Sequence, residues 1–444
     1  MFIILPVFLF LLLPCCYFWE QQDYLAPSFL IIFTFFISTL ECAFYLPKWQ
    51  TNISSETVLL ILMSLISFVA VTLFIKYCYV STKKYTTKIY LNNELDNNSD
   101  SDEPIKVNKI ILIFFALLQI AIFLLSAKEI VQLTSKYGTD GSLASAIAMY
   151  QYLGKFTTLN LSLPSYLAFG LIFITAIGMI WGYIIAYNIC FFKKLNFLIT
   201  LNFALSCIAS MLTGSRGYAL QMIVSALFIF LILQHKKNRT VVGSFKSVLK
   251  VVLILVILLL SFEGIAGILG RDNSLSLPDY ISVYLGAPIK NLDIFLLKDT
   301  AQSTVWGGET FLQQINWMLN NMGKNPLTAI NDPMNYSAGY NLGNVSTALK
   351  PYYHDFGFIG TIALMSLMAL IMQIFYESIK CDRNIIKPQV SLKLITYTQL
   401  LFDVAFTFFS NKFYENFNIT FFERMVFIII FVKIMQGRRI KVRL

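Results

Sequence analysis

Long apolar runs separated by short polar breaks dominate the chain. Such runs lie near residues 2–19, 25–46, 57–80, 109–128, 166–190, 195–213, 217–234, 248–269, 357–377, 394–409 and 422–436. A bilayer core about 30 Å thick needs about 20 apolar residues per helix, and backbone polar groups in lipid must be satisfied within their own segment. The pattern therefore predicts an all-α, polytopic membrane protein with eleven spans, within a range of 10–13. The runs at 394–409 and 422–436 are the shortest. The first run has neither the basic flank nor the small-residue cleavage site of a signal peptide, and Pro14 precedes Cys15 where a lipoprotein signal places a small residue. It reads as a retained helix. No internal repeat is visible.

Composition agrees with the pattern: 57% of the 444 residues are hydrophobic and 13% are charged, with a mean hydropathy of +0.68. A net charge of +10 on a soluble chain would suggest nucleic acid. Here the charge follows the loops instead. The connections at 81–109, 193–194, 235–250 and 378–393, with the tail 433–444, carry 21 of the 34 basic residues. The single long segment 271–356 carries five. Cationic loops stay in the cytoplasm, so this segment is expected outside and the C-terminus inside.

Five regions follow: N-terminal helices over 1–80, a polar cytoplasmic loop over 81–108, helices over 109–270, the large outer loop 271–356, and C-terminal helices with a basic tail over 357–444. Eleven spans put the N-terminus outside, and one helix more or fewer among the first two reverses it. The stretch Asn92–Glu103 is a solvated acidic linker. The seven cysteines read as small apolar residues.

Candidate chemistry concentrates on the outer side. Between Leu195 and Gln234 the one charge is Arg216, in the turn Thr213-Gly214-Ser215-Arg216-Gly217 between two helices. Glycines here permit tight turning and open backbone N–H groups, which suits an anion. The bland alternative is an arginine snorkelling to the interface. Arg271 follows the glycine stripe of Gly264, Gly267 and Gly270 at the outer end of another span. It either pairs with Asp272 or Glu263, or joins Arg216 in gripping phosphate through paired guanidinium hydrogen bonds. The outer segment closes on Tyr352-Tyr353-His354-Asp355-Phe356-Gly357. His354 is the better base at neutral pH, while Asp355 is either a base or a cap for the next helix. Glu309 is a weaker candidate base. The aromatics Tyr280, Tyr284, Trp306, Trp317, Tyr336, Tyr340, Tyr352 and Tyr353 either stack on sugars or anchor the segment at the interface. No phosphate-binding loop with its lysine and no His/Cys metal cluster stands out, so neither cofactor nor metal is expected.

Over roughly 200–360 the chain resembles the Wzy-type polymerases of O-antigen and capsular repeat units. The resemblance rests on Leu212-Thr213-Gly214-Ser215-Arg216-Gly217 at a helix hairpin. It rests also on a long outer segment ending in Asn344-Val345-Ser346-Thr347 and Tyr352-Tyr353-His354-Asp355-Phe356-Gly357. It implies a metal-independent glycosyltransferase of the bacterial inner membrane, related to the O-antigen ligases and acting on the periplasmic face. Its substrates would be undecaprenyl-pyrophosphate-linked glycans within membrane lipid, and its partners a chain-length regulator and a flippase of the same pathway. Arg216 and Arg271 would hold the pyrophosphate, and His354, or its neighbour Asp355, would activate the acceptor hydroxyl. The alternatives are an O-antigen ligase, or a lipid-linked oligosaccharide flippase using charges such as Glu41 and Glu263 within or close to spans.

Overall fold

A computed structural model describes residues 2–90, 104–157, 161–238, 276–298, 305–327 and 334–436. The predicted span 248–269 and Arg271 lie outside these residues.

The described fold is all-α apart from one hairpin. Its first eight helices are α1 (Ile4–Trp19), α2 (Pro27–Tyr45), α3 (Ser55–Tyr90), α4 (Lys109–Thr134), α5 (Leu143–Phe156), α6 (Ser165–Phe192), α7 (Phe197–Ser210) and α8 (Gly217–Asn238). The outer segment adds α9 (Leu277–Leu285), α10 (Ala287–Leu297), α11 (Leu312–Asn321) and the hairpin β1 (Asn335–Ser337) with β2 (Tyr340–Gly343). Then come α12 (Leu349–Cys381), α13 (Leu392–Ala405), the single turn α14 (Lys412–Glu415) and α15 (Ile419–Gln436). Six described helices, namely α2, α3, α4, α6, α8 and α12, are long and apolar enough to cross a membrane; α1 and α7 are apolar but shorter.

Helix α6 is the centre of the bundle, with Trp181 and Tyr183 fully buried. Gly178 and Gly182, one turn apart on it, let α7 and α8 approach. A Cβ on Gly178 would lie 2.8 Å from the Ser206 Cβ, and one on Gly182 3.1 Å from the Ala226 Cβ. Small residues at this spacing are how helices close-pack where lipid removes the hydrophobic drive between them. Gln119 on α4 donates to Asn202 at 2.9 Å and accepts from Ser206 at 2.8 Å, satisfying buried amides between helices.

The connections sort onto two ends of the bundle. At one end Asn188 exchanges hydrogen bonds with the backbone of Ile105, Tyr187 donates to Ile386, and Lys237 donates to Cys190. The α1–α2 turn belongs to this end, because Glu20 pairs with Lys76 at 2.9 Å and Asp23 with Lys380 at 3.3 Å. The described cation-rich connections thus meet at one end. At the other, the α2–α3 connection meets the outer segment. Ser54 N and Thr57 Oγ1 donate to Asp293 at 2.7 and 2.8 Å, and Lys290 Nζ bridges Asp293 and the Asn52 carbonyl, both at 2.7 Å. Ser337 reaches the Trp49 carbonyl at 2.8 Å, which ties down the hairpin.

Burial pushes the Asp293 carboxyl up, but Lys290 and the Ser54 and Thr57 donors outweigh it and hold the group below its ordinary range. A carboxylate depressed in the folded state contributes stability that is complete above its unfolded pKa of about 3.9 and is lost as pH falls through the folded value. Asp293→Asn is expected to strand Lys290 at a cost of about 3 kcal/mol, the scale of breaking a buried pair. Thermal unfolding in lipid nanodiscs at pH 7 and pH 3 checks this: the variant should lose stability at pH 7 and show a smaller difference between the two. An unchanged midpoint at pH 7 would refute the clasp.

Three local features depart from the sequence reading. Helix α5 was not foreseen, being too short and too polar to register as a span. The expected loop over 351–356 is helical: α12 begins at Leu349 and breaks at Gly357, whose φ of 69° and ψ of −167° suit glycine alone. Asp355 therefore ends a short lead-in helix and does not cap the spanning one.

Candidate active site

The turn after α7 is closed by a hydrogen bond from Gly214 N to the Met211 carbonyl at 2.9 Å. Gly214 adopts φ +76°, and a Cβ there would meet the Gln151 Cβ of α5 at 2.8 Å, so α5 covers the turn. Arg216 opens α8, its carbonyl accepting from Leu220 N. Its side chain is buried at 6% exposure and donates from Nη1 to the Tyr280 hydroxyl at 3.2 Å. Burial and the neighbouring Tyr284 push the Tyr280 phenol above its usual range, so it meets the guanidinium as a neutral acceptor. The Tyr280 ring lies 4.9 Å from Tyr284, which stacks on Phe409 at 5.8 Å.

Phe409 belongs to the loop after α13, and that loop builds the second part of the site. Thr407 accepts from Ala348 N at 2.9 Å, fixing the start of α12. Asn411 accepts from the buried Tyr352 hydroxyl at 3.0 Å and donates to the Thr310 carbonyl at 2.9 Å. Asp355, 5% exposed, accepts from Thr310 N at 2.6 Å and from Glu309 N at 3.1 Å. It thereby fastens residues 309–310 to the lead-in helix, a charge-assisted contact that also satisfies its own buried charge.

That fastening delivers the Glu309 side chain to His354. Glu309 Oε1 lies 3.2 Å from His354 Nδ1, with both side chains about one-eighth exposed. The contact is bent away from a straight hydrogen bond, a geometry common in resting active sites. Consecutive helical residues point about 100° apart, so Asp355 turns inward to the backbone while His354 turns to Glu309. Phe295 meets the imidazole edge-on at 5.8 Å and carries Lys350 over its face at 5.3 Å. Trp306, 80% exposed, stands 4.9 Å from Phe356 and offers a flat apolar surface to solvent.

His354 and Asp355 are thus together in one structure with different surroundings, and Arg216 reaches that structure through Tyr280, Tyr284 and the 406–411 loop. Glu309, a minor candidate in the sequence, stands against His354. A buried cation that the sequence reading did not single out is Arg424 on α15, 1% exposed. Its signal was present, as an arginine inside a run that was read as a span.

No protein-family model, curated protein or solved structure matches the chain.

Proposed function

We propose that the chain is a polytopic glycosyltransferase that polymerises undecaprenyl-pyrophosphate-linked oligosaccharide repeat units into O-antigen or capsular polysaccharide. It acts on the periplasmic face of the bacterial inner membrane, with eleven spans and a cytoplasmic C-terminus. The observation that carries this reading is the His354–Glu309 pair at the end of the bundle away from the basic loops. The buried Arg216 turn at that same end supports it. A base and a guanidinium at the lipid surface are what transfer from a lipid pyrophosphate requires.

In this mechanism Glu309 holds the imidazole with its proton on Nδ1, which puts the basic lone pair on Nε2. His354 takes the proton of the acceptor sugar hydroxyl as its oxygen attacks the anomeric carbon of the donor chain. The bond from that carbon to the pyrophosphate oxygen breaks, and undecaprenyl pyrophosphate leaves. Arg216, with Arg271, stabilises the departing negative charge. Trp306 supplies a face on which a sugar ring can stack.

The test is purified protein in liposomes given lipid-linked repeat units. A ladder of glycans, each longer by one repeat and still on the lipid carrier, is expected. Transfer of a preformed chain onto lipid A-core without any ladder marks a ligase and overturns the reading. Movement of the lipid-linked unit across the bilayer without bond formation marks a flippase and overturns it equally.

A further inference from the structure

Arg424 lies in the second turn of α15, yet among the described residues no carboxylate contacts its guanidinium. Its Nη1 donates to the side-chain oxygens of Gln221 at 3.0 Å and Gln399 at 3.2 Å. The guanidinium sits over the Tyr218 ring, 5.0 Å from its centroid. The nearby Asp403 is also buried, but it accepts from Gln221 at 3.3 Å and Asn416 at 2.6 Å. Among the described residues, the Arg424 Nε is buried with no hydrogen-bond partner. A guanidinium has five N–H donors in a planar fork, and burying it with part of that fork unbonded is costly. A residue kept for structure alone would have its charge met directly, and replacement by apolar side chains would be tolerated or stabilising.

Position gives the cost a use. Arg216 immediately precedes α8, and Tyr218 and Gln221 are in the first turn and a half of that helix. Five residues of helix span about 7 Å, so Arg424 grips α8 about one turn and a half below the point where Arg216 opens it. Arg424 itself is five residues into α15, at a similar depth from the same end. Two guanidinium groups at successive depths beside one helix suit a diphosphate that is attached to a membrane-embedded tail.

We propose that Arg424 is a further guanidinium of the substrate site. It contacts the pyrophosphate of the lipid-linked donor from the membrane side, while Arg216 contacts it from the outer turn. This deepens the polymerase reading and rests on it. The amides of Gln221 and Gln399 aim the fork, and Asp403 acts through Gln221 as a positioning residue.

The test measures binding of undecaprenyl pyrophosphate to full-length protein in nanodiscs, with undecaprenyl phosphate and inorganic pyrophosphate as comparison probes. Wild type should prefer the lipid diphosphate over both. Arg424→Gln should bind it roughly 10- to 100-fold more weakly, the effect of losing hydrogen bonds to a charged group. Its unliganded melting point should stay close to wild type. Arg424→Lys, which keeps the charge and loses the fork, should fall between the two and serves if the glutamine variant does not fold.

Wild-type affinity in both variants overturns the proposal. So does recovery of fold and affinity in Arg424→Gln with Asp403→Asn, because Arg424 would then be a counter-charge only. Equal wild-type affinity for inorganic pyrophosphate overturns the lipid-linked assignment. A wild type that binds no undecaprenyl pyrophosphate removes the polymerase reading itself, which is a separate failure.

Discussion

Alanine at His354 is expected to slow glycan transfer by about 10²–10⁴, the range for losing a positioned acid or base. The expectation rests on the different surroundings of two adjacent candidates. The Asp355 carboxylate is spent on two backbone N–H groups of Glu309 and Thr310, and moving it to a substrate would release the turn that carries Glu309. The His354 imidazole faces a carboxylate at 3.2 Å and remains partly exposed. Glu309→Gln should then cost at least about tenfold and alter the pH profile, because an amide presents a donor as readily as an acceptor and no longer fixes the tautomer. Asp355→Asn should lower protein level and thermal stability more than turnover per folded molecule. The measurement is chain extension from lipid-linked repeat units at equal folded protein across pH 5–9. A fully active His354→Ala alongside a dead, well-folded Asp355→Asn would move the base to the aspartate.

The physics of that pairing also shows what a sequence can and cannot reveal. Helix positions were legible because lipid forces a run of apolar residues wherever backbone crosses it, so α6, α7 and α8 fall close to the expected spans. The Arg216 turn was legible for the same reason, as a lone charge among 40 residues from Leu195 to Gln234. Glu309 was only a weak candidate because its meeting with His354 spans 45 residues and depends on Asp355 holding the intervening turn. No local pattern encodes such a contact. The expected span began at Gly357, where the helix does break, but the helical lead-in over 349–356 was hidden because its polar residues read as loop. Asp355 illustrates the limit most clearly: sequence left it either a base or a helix cap, whereas its carboxylate binds the backbone of Glu309 and Thr310, 45 residues or more away.

Arg424 was missed for a different reason. Its run is apolar enough to be read as a span, and hydropathy outweighed the charges within it, Glu423, Arg424 and Lys433. Weighing the charge first would have found it, since a buried ionisable group in a spanning helix is costly enough to need a purpose.

The other large effect is expected at Arg216. Arg216→Ala should reduce polymer formation by about 10²–10³, the usual loss when one donor to a developing oxyanion is removed. In the resting structure the guanidinium is buried and meets the neutral Tyr280 phenol through a hydrogen bond of 3.2 Å. A neutral acceptor at that length holds the side chain in place and brings no charge of its own. Tyr280→Phe should therefore have a small effect on rate, well under that of Arg216→Ala. Arg216→Lys should recover part of the activity, because a point charge still attracts the leaving group but lacks the planar fork that binds two oxygens at once. The loss should appear in kcat more than in KM, since the negative charge on the bridging oxygen is largest in the transition state. The assay is single-turnover extension with saturating lipid-linked units, with membrane insertion checked by protein yield. Wild-type chain lengths and rates from Arg216→Ala would reduce the residue to an anchor for α8 at the membrane surface. A defect confined to KM would leave it binding the donor without assisting departure of the pyrophosphate.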